Sequence, residues 1–218
     1  MAYTGEVRVG GPADVRELPG LIVSKLAVGP YDNNAYLLRC RDTGEQVLVD
    51  AAAEPERLMD LVGPDGLAAV ITTHQHHDHW QGLGAVVAAT GATTMAGRLD
   101  AEGIPVATDV LLDDGDEVAF GAITLRAIHL VGHTPGSIAL LYDDPEGHPH
   151  LFTGDCLFPG GVGNTWEDAE RFTTLYDGVV TKVFEPLPDE TWVYPGHGGD
   201  TTLGAERPHL DEWRARGW

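Results

Sequence analysis

The 218-residue sequence predicts an α/β (α+β) chain in which two β-sheets pack together with helices outside. Three observations carry that expectation. Short apolar, β-leaning runs alternate with segments whose apolar residues recur at helical spacing, the pattern of sheets covered by helices. Four of the strand-like runs end in loops that combine glycine with histidine or aspartate. No internal repeat or low-complexity linker interrupts the alternation, so 1–218 reads as a single domain, with 1–20 as a polar, Gly/Pro-containing N-terminal arm.

Taken in order, Leu21–Val28, 35–40 and Gln46–Val49 read as strands, the last ending at Asp50. Pro55 suits a first helical turn, and Leu58, Leu61 and Val62 give that helix one apolar face. The run 67–72 is a strand leading into a histidine-rich string. Trp80, Leu83, Val86 and Val87 then repeat at helical spacing, with Gly91 placed to stop the helix. Strands are expected at 106–112, 117–119, 122–129, 137–142 and 150–153. The glycine-rich stretch from Phe158 to Trp166 has no period. Thr165 and Asp168 form a capping-box-like pair opening a helix whose Phe172, Leu175, Val179 and Val183 share a face. A strand at 191–194 and a short C-terminal helix holding Leu210 and Trp213 complete the series.

Composition narrows the function classes. Thirteen Lys and Arg against 34 Asp and Glu give a formal charge of −21, which repels phosphate backbones, so no nucleic-acid partner is expected. Two cysteines make no disulfide framework; Cys40 is expected in a strand and Cys156 as a small buried filler. No basic n-region precedes an apolar h-region, and the apolar runs are too short to span a bilayer. No membrane partner is expected, and the cytoplasm is the expected compartment. Nothing in the sequence sets an oligomeric state.

The chemistry is concentrated in four places. His74-Gln75-His76-His77-Asp78-His79 follows a strand directly, and imidazole nitrogens with carboxylate oxygens are the usual ligands of zinc and similar divalent ions. His74 and His76 are two apart on an extended segment and can point the same way, whereas His77 alternates outward. Three further strand ends carry Gly132-His133-Thr134-Pro135-Gly136-Ser137, Gly154-Asp155 and Pro195-Gly196-His197-Gly198. Glycine lets backbone pass close to a metal ion. His129, His148, His150 and His209 lie outside these strings and read as surface or hydrogen-bonded histidines. No Gly-x-Ser-x-Gly string suggests a serine nucleophile.

Together these motifs, in this order and spacing, resemble the metal-binding motifs of the metallo-β-lactamase superfamily. The segments Asp32-Asn33-Asn34-Ala35-Tyr36 and Phe152-Thr153-Gly154-Asp155-Cys156-Leu157-Phe158 are most similar to the glyoxalase II-like (hydroxyacylglutathione hydrolase-like) group. The resemblance implies a four-layer αβ/βα sandwich and two divalent metal ions, zinc first, with iron or manganese compatible. It implies His74, His76 and His133 on one ion, Asp78, His79 and His197 on the other, and Asp155 bridging. Asp78 and a metal-bound hydroxide are the catalytic assignments it carries. Asp50, ending its strand nearby, is read either as an orienter of a ligand histidine or as a loop hydrogen-bond acceptor.

The expected substrate is a small-molecule thioester or related ester. No Lys, Tyr or Glu in the motifs offers a general acid, and a thiolate leaves without one. A lactonase and a mononuclear-iron, persulfide dioxygenase-like oxidoreductase are the alternatives, with a non-catalytic module as a third. Glyoxalase II enzymes add a helical C-terminal domain that grips glutathione and usually have Arg after the Gly-x-Gly; here Asn164 follows Gly161-Val162-Gly163. Glutathione specificity is therefore not expected. Phe158, Asn164, Trp166 and Tyr176 are the residues expected to wall the pocket.

Overall fold

A computed structural model describes residues 2–217, leaving Met1 and Trp218 outside the described residues. The first sheet has seven strands in sequence order: β1 (Asp14–Glu17), β2 (Leu21–Val28), β3 (Asn33–Cys40), β4 (Gln46–Val49), β5 (Ala69–Thr72), β6 (Thr93–Gly97) and β7 (Val110–Leu112). β1 to β4 are antiparallel neighbours, and β4 to β7 run parallel. The second sheet is built from β8 (Glu117–Phe120), β9 (Ile123–His129), β10 (Ile138–Tyr142) and β11 (His150–Gly154). A small hairpin, β12 (Leu157–Phe158) and β13 (Gly161–Val162), lies apart from it; β14 (Trp192–Pro195) and β15 (Thr201–Thr202) complete it in the order β15-β14-β11-β10-β9-β8.

Strand alternation explains the layers. On β3, Tyr36 and Leu38 join Val47, Ile71, Leu140, Phe152 and Tyr194 in a core between the two sheets, while Ala35 and Leu37 face the other way. That outer face is covered by α1 (Pro55–Val62) and α2 (Leu83–Thr90), whose Leu58 and Val86 are buried against Leu48 and Val70. On the second sheet, Leu141, Leu151 and Val193 turn outward onto α3 (Ala169–Val179), and a short α4 (Leu203–Glu206) precedes α5 (Leu210–Arg216), which buries Trp213 there. The order helix, sheet, sheet, helix is the four-layer sandwich.

Several expectations are corrected. The arm at 1–20 contains β1, which pairs with β2 at the sheet edge. β6 was not expected; its Thr93-Thr94-Met95-Ala96-Gly97 reads weakly as a strand, yet parallel partners on both sides complete its hydrogen bonds. Only Val110–Leu112 of 106–112 is strand. Trp80 is outside α2 and donates its indole N–H to Gln75 O at 2.8 Å, while Gly91 ends the helix with φ 69° as expected. The glycine-rich stretch holds the β12–β13 hairpin. At α3 the cap is Asp168 alone, accepting from Glu170 N and Arg171 N, and Val183 lies in a wider helical turn, Val180–Phe184.

Candidate metal centre

β4 and β5 run parallel, as do β11 and β14, and the carboxyl ends of these strands meet at one edge of the sandwich. Asp50 follows β4 and His74 follows β5; Asp155 follows β11 and His197 follows β14. His133 comes from the β9–β10 loop, and His77–His79 form a single tight turn. Backbone bonds join the sheets here: Ile138 N donates to Thr73 O at 2.9 Å and Asn34 N to Gly196 O at 2.7 Å.

The ring nitrogens are sorted by their partners. His133 Nδ1 donates to Asn164 O at 2.9 Å, His197 Nδ1 to Tyr31 O at 2.8 Å, and His79 Nδ1 to the Asp50 carboxylate at 2.9 Å. Thr73 Oγ1 gives its proton to Asp50 Oδ2, so it accepts from His74 Nδ1 at 3.0 Å. Each of the four rings therefore turns Nε2 inward, with its other nitrogen held by the protein, the arrangement of metal-ligating histidines. His76 instead turns Nδ1 inward, 2.9 Å from His133 Nε2.

Three sets of ligand atoms gather within 4.8 Å: His74, His76 and His133; Asp78, His79 and His197; and, sharing a member with each, His74, His79 and Asp155. Asp155 lies 3.3 Å from His79, 3.6 Å from His133 and 3.4 Å from His197. Its Oδ1 is buried and accepts no hydrogen bond among the described residues. Inward-turned ring nitrogens around a buried carboxylate oxygen without a hydrogen bond are a donor set that a divalent cation completes. The residues fit the group.

Electrostatics divide the cluster. Burial lowers the pKa of His74 well below the ordinary value, and burial also lowers His76 and brings His133 to about 4. Burial acts the same way on His79 and His197, but carboxylates override it. Asp155 and Asp50 raise His79, and hydrogen bonds to Asp155 and Asp78 raise His197 to about 10. Asp78 is held below the carboxylate range first by His197 and then, against its burial, by Asn33.

The structure brings all seven expected ligand residues together and places Asp50 in contact with both the loop and a histidine. It accepts from Thr73 N at 2.7 Å as a loop acceptor and orients His79. Phe158 lies 6.3 Å, ring to ring, from His197. Trp166 stacks on His133 at 5.4 Å and meets His76 edge-on at 5.3 Å, and Asn164 supplies its carbonyl to His133. Tyr176 is a correction: it is buried on Phe172 with its hydroxyl on Leu210 O, because helical spacing points it into the core beneath α3. Cys156 is buried and inert, its thiol pushed up by burial. His77 is exposed, whereas His150 is buried in the core with Nδ1 on Tyr194.

Three contributors were not read from the sequence. Asn33 Nδ2 donates to Asp78 at 2.9 Å; the segment Asp32-Asn33-Asn34 signalled the family but not this contact. Asp100 accepts from Gln75 N at 2.9 Å and Gly136 N at 2.7 Å, tying the His76 and His133 loops together, and no local motif marks it. Arg171 donates to the carbonyls of Gly132 and His133. Beside the cluster a cavity of about 580 Å³ is lined by His76, His133, Trp166 and Arg171 among others. No helix among the described residues is long and apolar enough to cross a membrane.

Comparison with known proteins agrees with this geometry. The family model described as the Metallo-beta-lactamase superfamily matches residues 28–197. A hydroxyacylglutathione hydrolase of Polaromonas sp. is 35% identical over 81% of this chain and 66% of its own length. The human mitochondrial persulfide dioxygenase ETHE1 is 34% identical over 74% of this chain and 62% of its own length. This chain thus spans less than two thirds of either relative. A solved di-iron-bound form of TTHA1623 matches with a TM-score of 0.68 at 34% identity, covering 84% of this chain and 96% of that one. The strand-end histidines and aspartates, the four-layer fold and these relatives together place the chain in the metallo-β-lactamase superfamily, to which it belongs.

Proposed function

We propose that this protein is a metal-dependent hydrolase that cleaves a thioester or a related ester of a small molecule. The observation that carries the reading is the convergence of inward-facing imidazole nitrogens on Asp155, with the outward nitrogens of His74, His79, His133 and His197 tied by the protein. His74, His76 and His133 would hold one divalent ion, Asp78, His79 and His197 a second, and Asp155 both. Bound there, two ions supply an activated water at neutral pH and polarise a carbonyl oxygen.

The chain's own residues keep that donor set in place. Asp50 fixes His79, Asn33 holds Asp78, and the carbonyls of Tyr31 and Asn164 set the tautomers of His197 and His133. Phe158, beside His197 and Asp78, and Trp166, beside His76, wall the two openings to the cluster. No lysine lines either opening among the described residues, the Tyr176 hydroxyl is engaged elsewhere, and Tyr31 and Glu170 are the tyrosine and glutamate found there. A leaving group that departs as its anion suits such a site, and a thiol with a pKa near 8.5 does so far more readily than an amine.

Metal per chain, measured on protein purified without added metal, together with a thioester panel, tests the reading. About two ions of zinc, iron or manganese per chain with thioester turnover is the expected result. One iron per chain, inert toward thioesters and active in oxygen uptake with a persulfide, would replace it with the dioxygenase reading that the human relative supports. His133 and Asp155, joined by His74 or His79, would then supply a two-His, one-Asp set.

A further inference from the structure

Trp166 combines exposure with a constrained backbone. It is 49% exposed, its φ is 54°, and Glu167 follows with φ 59°, so two consecutive non-glycine residues occupy the left-handed region. Such conformations persist where surrounding contacts hold them, and they gather at ligand-binding segments. Here Asn164 Oδ1 accepts from Trp166 N at 2.8 Å, the Arg171 guanidinium lies 4.5 Å from the indole, and the indole reaches the rings of His76 and His133. A large apolar surface is thereby fixed at the mouth of the cavity beside the candidate metal centre.

The charges around it are two carboxylates and one guanidinium. The two natural receptors for an anion at this cavity are the N terminus of α3 and Arg171. Both are consumed internally. Asp168 Oδ1 accepts from Glu170 N at 2.9 Å and Arg171 N at 3.0 Å, so the helix end is capped by its own carboxylate. Arg171 Nε donates to Gly132 O at 2.8 Å, its second nitrogen donates to His133 O, and its face lies on Trp166. Arg171 is the only Lys or Arg among the lining residues, which also include Asp168 and Glu170.

We propose that this cavity takes the non-reacting part of the substrate as an uncharged or cationic group laid against Trp166, and disfavours carriers bearing free carboxylates, glutathione included. The inference rests on the hydrolase reading and names the substrate class for the same site. Glutathione brings two carboxylates and one ammonium to a cavity whose anion receptors are already filled. A neutral carrier loses nothing there and gains the indole surface.

The test is a binding comparison that does not depend on turnover. Two unhydrolysable thioethers sharing an acetonyl group, one on glutathione and one on neutral N-acetylcysteamine, are titrated calorimetrically into metal-loaded protein. The neutral ligand is expected to bind about tenfold tighter or better, with the gap narrowing as salt rises toward ~0.5 M. Glu170→Lys should close the gap by strengthening the glutathione ligand. Trp166→Ala should weaken the neutral ligand about tenfold, and Trp166→Phe should keep most of its affinity. Equal affinities, a preference for the glutathione thioether, or binding of neither at millimolar concentration would overturn the proposal. The matching thioesters report separately on the hydrolase reading. If both are hydrolysed with equal kcat/KM, the carrier inference fails and the hydrolase survives; if neither is hydrolysed, the hydrolase reading fails and the binding pair alone decides the cavity's preference.

Discussion

Asp50 Oδ2 accepts from the Thr73 hydroxyl at 2.8 Å and from His79 Nδ1 at 2.9 Å, so one buried carboxylate fixes both the entry to the histidine segment and the ring of one of its members. Asp50 itself has φ 58°, which Asn tolerates and most residues resist. Asp50→Asn should therefore fold, while losing the charge that holds the His79 proton. We expect one metal to bind about 10–100-fold more weakly, read by chelator competition with metal counted per chain. Unchanged affinity for both metals would remove Asp50 from the site.

Gly196 approaches Asp155 and His79 so closely that an added Cβ would collide with Asp155 Oδ1 and lie 2.8 Å from His79 Cε1. Gly196→Ala should cut metal content well below the parent's while far-ultraviolet circular dichroism stays native. As a control, Gly84→Ala sits on the exposed side of α2 with only Val106 in ordinary contact. It should leave metal content unchanged and raise stability by about 0.5 kcal/mol.

Lys25 is fully buried and donates to Gly5 O, Gly198 O and Asp200 Oδ1, the last at 2.6 Å. Asp200 also accepts from Tyr3 and the Trp192 indole. Replacing Lys25 with Met leaves a buried carboxylate without its cation and unties the loop that carries His197. We expect a loss of about 3–5 kcal/mol in urea unfolding, larger than for any exposed pair such as Arg39–Asp65.

His150 gives a pH signature remote from the metal ligands. Burial first, then Arg16 and His148, push its pKa down to about 3. The unfolded chain then binds more protons below the ordinary value of 6.5, so the contribution is complete above that pH and is lost as pH falls toward 3. His150→Asn keeps an acceptor near Nδ1 for Tyr194 and removes the titration. Between pH 7 and 4.5 the parent should lose about 2 kcal/mol more than the variant; equal losses would count against it.

Metal removal should be felt by the whole fold. At a metal concentration about 100-fold above Kd, binding contributes about 2.7 kcal/mol, or some 5–10 °C in Tm at this chain length. Dialysis against a chelator should lower Tm by that amount, and zinc, manganese or ferrous iron should restore it. A Tm indifferent to chelation would contradict a site formed by Asp155 and its histidines.

The residues of the candidate metal centre were legible because each sits in a short strand-end loop where residue type, glycine and spacing coincide, as at His74, His133, Asp155 and His197. What escaped was non-local. Thr93–Gly97 becomes a strand only because β5 and β7 flank it. Asp100 matters through contacts 25 to 36 residues away, and Arg171 through contacts 38 and 39 residues away. Tyr176 looked like a pocket residue because its neighbourhood did; four residues beyond Phe172, it follows that side chain into the core.

Because strands β1 to β7 form one sheet and β8 to β11, β14 and β15 the other, the topology cuts the chain near residues 113–116 into two consecutive halves. His74, His76, Asp78 and His79 belong to the first half, and His133, Asp155 and His197 to the second. Neither half carries a complete donor set. Metal affinity is thus a gauge of how well the halves dock, and a shift of the two sheets by a single ångström would reach the chemistry before it disturbed either sheet.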